Sequence, residues 1–352
     1  TDGDGQLLWN RSIGGLLSDY TYSLVECAAG GYALAGYSSS YSVGFRDLWL
    51  LRVDDNGLPM WNRSFGGVLG DFGRSLVECS DGGFAILGYS ASFNSDDDDI
   101  YLVRTDQNGN LVWERVFGGA AYEYGYDIVE CSGGGFAIAG ERMVNVEDPA
   151  DAYILRTNRT GHLLWDLALG DTGNDDCYGI IETSGGFVAV GSSNSFSTGD
   201  SDLWLMGISA DGMLQWQQTF GGSSHDSGWS LIERGAGGFV LIGSTQSFGA
   251  GGEDLWLVYT DPNGNLLGHE TFGGPYNDYG RALVELDDGT LVLTGFAFDD
   301  TNTPDLWLLH CSGIPAMQFG LHPVWVVLGG ITLGVAAVAL GWLLLRRRRR
   351  KS

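Results

Sequence analysis

Apolar positions along this chain come in short runs of five to seven residues, rich in Val, Ile, Leu and aromatics and separated by Gly, Asp, Asn and Ser. That pattern predicts short strands joined by turns. The runs are also periodic. A phrase ending in Trp and followed by a glycine pair appears as LLWNRSIGG at Trp9, PMWNRSFGG at Trp61 and LVWERVFGG at Trp113. It returns as LLWDLALGD at Trp165, LQWQQTFGG at Trp216 and LLGHETFGG at Gly268, with intervals of 52, 52, 52, 51 and 52 residues. Three further phrases keep the same period: SLVE at Ser23, GGYALAG at Gly30 and DLWLLR at Asp47. The turn before each Trp phrase reads DDNG, DQNG, NRTG, SADG or DPNG. Asn-Gly and Asp-Gly supply the positive backbone angles of a tight hairpin. No stretch before residue 320 holds a helical period.

Four strands in about 52 residues, six times over, predict an all-β, six-bladed β-propeller across residues 1–312. A unit of this size cannot bury its own core, so each must pack on its neighbours. The chain opens on a lone fourth-strand phrase around Trp9 and its last repeat ends on a third strand, Asp305 to His310. The N-terminal strand is therefore expected to complete the sixth blade and close the ring.

The phrases GGFAIAG, DLWLVY, DPNGNLL and FGG resemble the repeats of PQQ-like and delta-60-type propellers of archaeal and bacterial cell-envelope proteins. The resemblance covers residues 6–312. It implies that Trp9, Trp61, Trp113, Trp165 and Trp216 dock between blades, and that Gly268 leaves the fifth blade looser. It transfers no quinone site, because the basic residues such an anionic cofactor needs are scarce. The fold hosts many functions.

After a tether, 313–322, comes a segment, 323–345, whose stretch Val324–Leu345 carries no charge over 22 residues. That is long enough to span a bilayer. Arg346–Lys351 follow within a basic tail, 346–352, which orients the tail to the cytoplasm and the propeller to the outside, as a single-pass type I protein. Three sequons, Asn10, Asn62 and Asn158, fit an exported glycoprotein, and two of them share one repeat position. The alternative is that Asn simply suits those strand and turn positions.

The formal charge is −26, and without the six basic residues of Arg346–Lys351 the balance is 12 basic against 44 acidic side chains, −32. Such a surface repels phosphates and excludes nucleic acid as a partner. It also suits a salty habitat. Five cysteines make no framework: Cys27, Cys79 and Cys131 share one repeat position, and Cys177 and Cys311 lie elsewhere. No metal, nucleotide or nucleophile motif appears, and the five histidines fall in unrelated phrases.

The acids carry the candidate sites. Asp19, Asp71, Glu123, Asp175, Asp226 and Asp278 each precede a first strand by the same offset. As a ring they would repel one another and call for a compensating cation, Ca²⁺, or a basic group. Otherwise each caps its own loop. A second set varies between units: Asp96, Asp97 and Asp98, Glu147 and Asp148, Asp200, Glu253, and Asp299 with Asp300, in the loops joining strands two and three. Varied loops on a constant scaffold carry specificity. Asp47 and its repeats are expected to tie the third strand to backbone amides. Glu26 and its repeats are expected to make a hydrogen bond common to the blades, and Gly36 and its repeats to admit a close backbone approach. The chain reads as a membrane-anchored surface module binding a protein or glycan through an acidic loop face. A hydrolase using two carboxylates of unlike environment and a structural surface-layer component are the alternatives.

Overall fold

The computed structural model describes residues 7–93, 97–145, 147–235, 237–301 and 303–311. They form 23 strands in six antiparallel sheets, spanning residues 19–65, 71–117, 122–169, 175–220, 226–272 and 278–311. In blade one the strands Asp19–Glu26, Tyr32–Ser38, Asp47–Val53 and Pro59–Phe65 lie side by side in chain order, and the others repeat this meander. First strands touch first strands from blade to blade, so they are innermost and the Trp-bearing fourth strands outermost. This is the six-bladed β-propeller that the repeat predicts. The segments 313–322, 323–345 and 346–352 lie outside the described residues, and among the described residues no helix is long and apolar enough to cross a membrane.

No blade owns its core. Leu48 and Leu50 of blade one bury against Phe84, Ile86 and Tyr101 of blade two, and each later junction repeats this. Outer-strand tryptophans fasten the junctions. Trp61, Trp113, Trp165 and Trp216 cover Gly109, Gly161, Gly212 and Gly264 in the next blade's hairpin turn. Those glycines have φ of 76°, 76°, 81° and 78°, the turn geometry that glycine accepts freely. Trp61, Trp113 and Trp165 also face Phe84, Phe136 and Phe187 at 6.0, 6.1 and 5.8 Å. At Gly268 the same position opens on empty space.

The N-terminal phrase does not complete blade six. No strand forms between residues 7 and 18, and the sixth sheet has three strands, ending at Pro304–Cys311. Trp9 is engaged elsewhere: its indole Nε1 donates to Asp55 O at 2.9 Å and its ring covers Gly57. It thus treats blade one as Trp61 treats blade two. The last strand is left uncovered, with Leu306 and Leu308 52% and 45% exposed, where the third strands of blades one and two are buried throughout.

Polar repeats also join blades. In four blades the Glu closing the first strand reaches back across the junction: Glu78 accepts from Ala28 N at 2.8 Å, Glu130 from Ser80 N at 2.7 Å and Glu182 from Ser132 N at 2.6 Å, and Glu285 pairs with Arg234 at 2.9 Å. The expected bond exists, and it is between blades rather than within one. Asp47, Asp202 and Asp254 accept from Val43 N, Thr198 N and Ala250 N at 2.8, 3.0 and 2.7 Å, tying their loops as expected. All five cysteines are free; burial pushes the thiols of Cys27 and Cys79 up to about 12 and that of Cys131 to about 11, which leaves them inert packing groups.

Asp127 is the exception among otherwise small residues at its position. It accepts from Ile180 N of blade four at 3.0 Å and Ser75 Oγ of blade two at 3.1 Å, and burial lifts its carboxyl from 3.8 to about 6.

Two outcomes are expected. Trp113→Ala lowers stability by about 2 kcal/mol, read from the urea midpoint, because a half-buried ring leaves the junction; Gly268→Ala, which enters open space, leaves the midpoint unmoved. For Asp127 the folded value lies above the unfolded one, so ionisation opposes folding and stability falls as pH rises from 3.8 through about 6. Asp127→Asn is therefore more stable than the parent at neutral pH, by about 2 to 3 kcal/mol, and equal to it below about pH 4. Equal melting temperatures at neutral pH would show that Asp127 carries no such penalty.

Candidate functional site

The first strands begin, and the loops between strands two and three lie, on one face of the propeller. The first six acids stand there, each engaged inside its own blade. Asp71 accepts from Ser90 Oγ, from Ser92 Oγ at 2.9 Å and from Gly67 N at 2.8 Å. Asp175 does so from Ser193 and Ser195 Oγ, Asp226 from Thr245 and Ser247 Oγ, and Asp19 from Ser38 and Ser40 Oγ. Asp278 accepts from Gly274 N at 2.8 Å. Burial pushes Asp71 and Asp278 upward; at Asp19 burial also pushes up, but the bonds from Ser38, Gly15 and Ser40 outweigh it and the carboxyl is lowered. Glu123 departs from the pattern. It pairs with Arg142 at 3.1 Å, and burial, with Asp99 beside it, raises it.

These acids meet a second carboxylate across each junction. A methyl group added at Gly170 would collide with Asp151 and Asp175 together, at Gly221 with Asp202 and Asp226, and at Gly273 with Asp254 and Asp278. The first glycine after the outer strand thus sits over a carboxylate pair in blades two to five. Asp19, Asp71, Asp175, Asp226 and Asp278 are engaged by hydroxyls and amides and Glu123 by a guanidinium, each within its own blade. They do not fit a shared Ca²⁺, and among the described residues no group of three or more His, Cys, Asp or Glu is placed to hold a metal ion.

The variable acids divide. Asp96 lies outside the described residues. Glu147, Asp148, Asp200, Asp299 and Asp300 are solvated loop residues; Asp148 accepts from Asn145 at 2.6 Å and Asp299 from Thr301 N at 2.8 Å, so both fasten their own loops. Asp97 is half-buried. Asp98 and Glu253 reach inward: Asp98 accepts from Tyr124 OH at 3.1 Å, and Glu253, buried, bonds to Tyr279. Of the sequons, Asn10 is exposed, Asn62 lies in an outer strand, and Asn158 holds its own turn by accepting from Thr160 N and His162 N at 2.9 and 3.0 Å.

Asp98 and Glu253 lead to a site the sequence reading missed. Every innermost strand carries a β-bulge at one position, where its pairing with strand two skips a residue. The skipped residues are Tyr22, Arg74, Tyr126, Tyr178, Trp229 and Arg281. All are aromatic or guanidinium. A bulge re-aims its side chain, and here it brings consecutive blades into contact along the inner strands. The Arg74 guanidinium lies 4.5 Å from the Tyr22 ring, Tyr126 stands 5.4 Å from Tyr178, Tyr178 stacks on Trp229 at 4.2 Å, and Arg281 lies 3.6 Å from the Trp229 ring. Tyr37, Phe72, Tyr89 and Tyr124 form a parallel run at 5.1, 5.0 and 4.8 Å. The strand-two glycines make the bulges possible: a methyl at Gly36, Gly88, Gly140, Gly191, Gly243 or Gly295 would stand on the backbone oxygen two residues before the bulge. The close approach expected of them is what they provide.

In blades three and four this inner arc becomes acidic. Glu141 stands where blades one and two have Tyr37 and Tyr89, and Asp176 where they have Tyr20 and Phe72. Tyr126 OH donates to Glu141 Oε1 at 2.6 Å, and Ser192 Oγ to Asp176 at 3.3 Å. Burial, then a hydrogen bond with Asp176, pushes the Glu141 carboxyl upward. Two carboxyl groups thus stand side by side, with the Tyr126 hydroxyl bonded to one and the Ser192 hydroxyl to the other. On the opposite face, where the hairpin turns lie, two grooves of about 350 and 380 Å³ are lined by Gly134, Arg156 and Leu164 and by Asp81, Arg104 and Trp113.

No family model matches the chain, and no curated protein does. Among solved structures it is similar to a protein of unknown function from Dyadobacter fermentans, with 10% identity, a TM-score of 0.54, and 82% of this chain and 93% of that one covered. It is similar to a puromycin hydrolase at 14% identity and TM-score 0.52, spanning 83% of this chain but 45% of the hydrolase. The β-propeller domain of the trilobed protease of Pyrococcus furiosus also aligns, at 10% identity and TM-score 0.47, over 83% of this chain and 82% of that one. At these identities the likeness is one of fold.

Proposed function

We propose that this chain is a membrane-anchored cell-surface module that binds a glycan along the inner aromatic arc of its acidic face. The observation that supports the reading is the identity of the six bulged residues. The scaffold repeats, yet the side chains it aims inward are Tyr22, Arg74, Tyr126, Tyr178, Trp229 and Arg281. Sugars present apolar C–H faces and hydroxyl edges. Half-buried aromatic rings match the first, and carboxylates and guanidinium groups match the second. The charge-free run Val324–Leu345 and the basic run after it supply the anchor and the orientation. Exposed loop acids would then set long-range attraction for cationic partners rather than the contact itself.

A hydrolase is the second reading, favoured by Glu141 and Asp176. There Glu141 would protonate the leaving oxygen and Asp176 would take the proton of an attacking water, so that the pair ends with its proton count unchanged. The puromycin hydrolase likeness adds nothing to this beyond fold.

The binding test is titration of the full chain in detergent with a panel of neutral and acidic oligosaccharides, read by tryptophan fluorescence. Trp229→Ala is expected to weaken binding at least tenfold, and Asp148→Asn to change it less than twofold. The reverse order would place the contact on the loop tips. Glu141→Gln is expected to leave binding within about threefold of the parent; under the hydrolase reading it abolishes release of reducing ends, and under the binding reading no release occurs with either protein.

A further inference from the structure

We propose that the propeller rests its hairpin-turn face against the lipid surface, inserting the apolar residues that begin its outer strands. The proposal rests on the reading of residues 323–345 as a membrane span.

Each outer strand starts with exposed apolar residues just after its hairpin turn: Leu58 and Met60, Leu111 and Val112, Leu163 and Leu164. These six side chains are between 46% and 60% exposed. Blade five opens the same way with Leu266 and Leu267, and in blade four exposed Met213 precedes half-buried Leu214. Scattered exposed leucines mean little, but these recur at one position around the rim of one face. Their placement follows from the topology. First and third strands end on this face and second and fourth strands begin there, so every outer strand presents its first residues at the same level.

The course of the chain says what covers them. The last described strand, Pro304–Cys311, is a third strand, so the described chain ends on the hairpin-turn face. Twelve residues separate Cys311 from Val324, where the charge-free run begins. That linker reaches at most about 45 Å. A span tethered on this side turns the rim toward the bilayer and the aromatic arc away from it. Binding at the headgroup and acyl boundary grows with the apolar area buried, so several shallow insertions offset the orientational freedom that the linker leaves. The turns also carry Asp55, Asp106, Asp211 and Asp261. Those carboxylates disfavour anionic headgroups, and the matching surface is zwitterionic.

The test is hydroxyl-radical footprinting of the full chain in phosphatidylcholine nanodiscs. Val43, Phe45 and Val68 on the acidic face, 87%, 64% and 74% exposed, serve as internal references. The rim residues are expected to label at least fivefold more slowly than these references, after correction for intrinsic reactivity and static exposure. In the variant L111S/V112S/L163S/L164S, labelling of Met60 is expected to rise toward the reference level, while labelling of buried residues stays unchanged and so reports an intact fold. Rim residues labelled like the references, with residues 324–345 protected, would overturn the docking and leave the anchor standing. Labelling of residues 324–345 at the reference level would overturn the anchor, and the docking with it. Protection of Val43, Phe45 and Val68 in place of the rim would reverse the orientation.

Discussion

The inner surface of this propeller depends on one steric relation: the residue two places before each first-strand bulge lays its carbonyl oxygen where a strand-two side chain would otherwise begin. Only glycine leaves that room, and it does so in all six blades, from Gly36 to Gly295. The approach forces the pairing to skip one residue. The skipped residue is freed from alternation between the two packed faces of the blade and can point along the inner strand. Repetition therefore governs the backbone, while the aimed side chain is released from the packing that keeps the rest of the blade uniform. A constant glycine and a varied aromatic are two sides of one arrangement.

This relation explains what could be read from the sequence and what could not. The period, the strand phrases and the hairpin turns are local, and Trp61, Trp113, Trp165 and Trp216 dock between blades as the resemblance implies. The bulge is not local. DYTYSLVE reads as one alternating strand, and only its register against YALAGYS shows that Tyr22 is skipped. Ring closure failed for a related reason. LLWNRSIGG has the composition of a fourth strand, but composition does not choose a partner, and Trp9 is held by Asp55 and Gly57 of blade one. For the first-strand acids the sequence left a shared cation or loop capping open, and the hydroxyls that favour capping were visible. A Ser or Thr stands at the end of strand two and another two residues later, as in Ser90 with Ser92 and Thr245 with Ser247, and these hydroxyls bind the acids one blade at a time.

The high acidity has structural consequences at the junctions. Carboxylates pair across neighbouring blades over the FGG glycine, and burial raises Asp71, Asp202 and Asp254. Like charges held together oppose folding when both are ionised. Hydroxyl and amide donors offset this for the first-strand acids, which is why each is surrounded by them. Glu123 and Glu141 stand apart because their surroundings supply a guanidinium in one case and a second carboxyl in the other. The repeat thus tolerates its charge in most blades by local hydrogen bonding, and blade three is where the pattern gives way to something particular.

The two faces follow from a single count of strands. An even meander returns the chain to its starting face, so each full blade hands over to the next on the acidic side, through loops that cap the first-strand acids. A blade that ends on its third strand leaves the chain on the other side. Among the described residues the sixth blade does this, with Cys311 at the level of the hairpin turns. Had it ended on a fourth strand, the linker would leave beside the acids and carry the aromatic arc toward whatever the chain is tethered to. The same strand count therefore puts the varied residues of the inner arc at one end of the blades and the last described residue, with the repeated apolar residues, at the other.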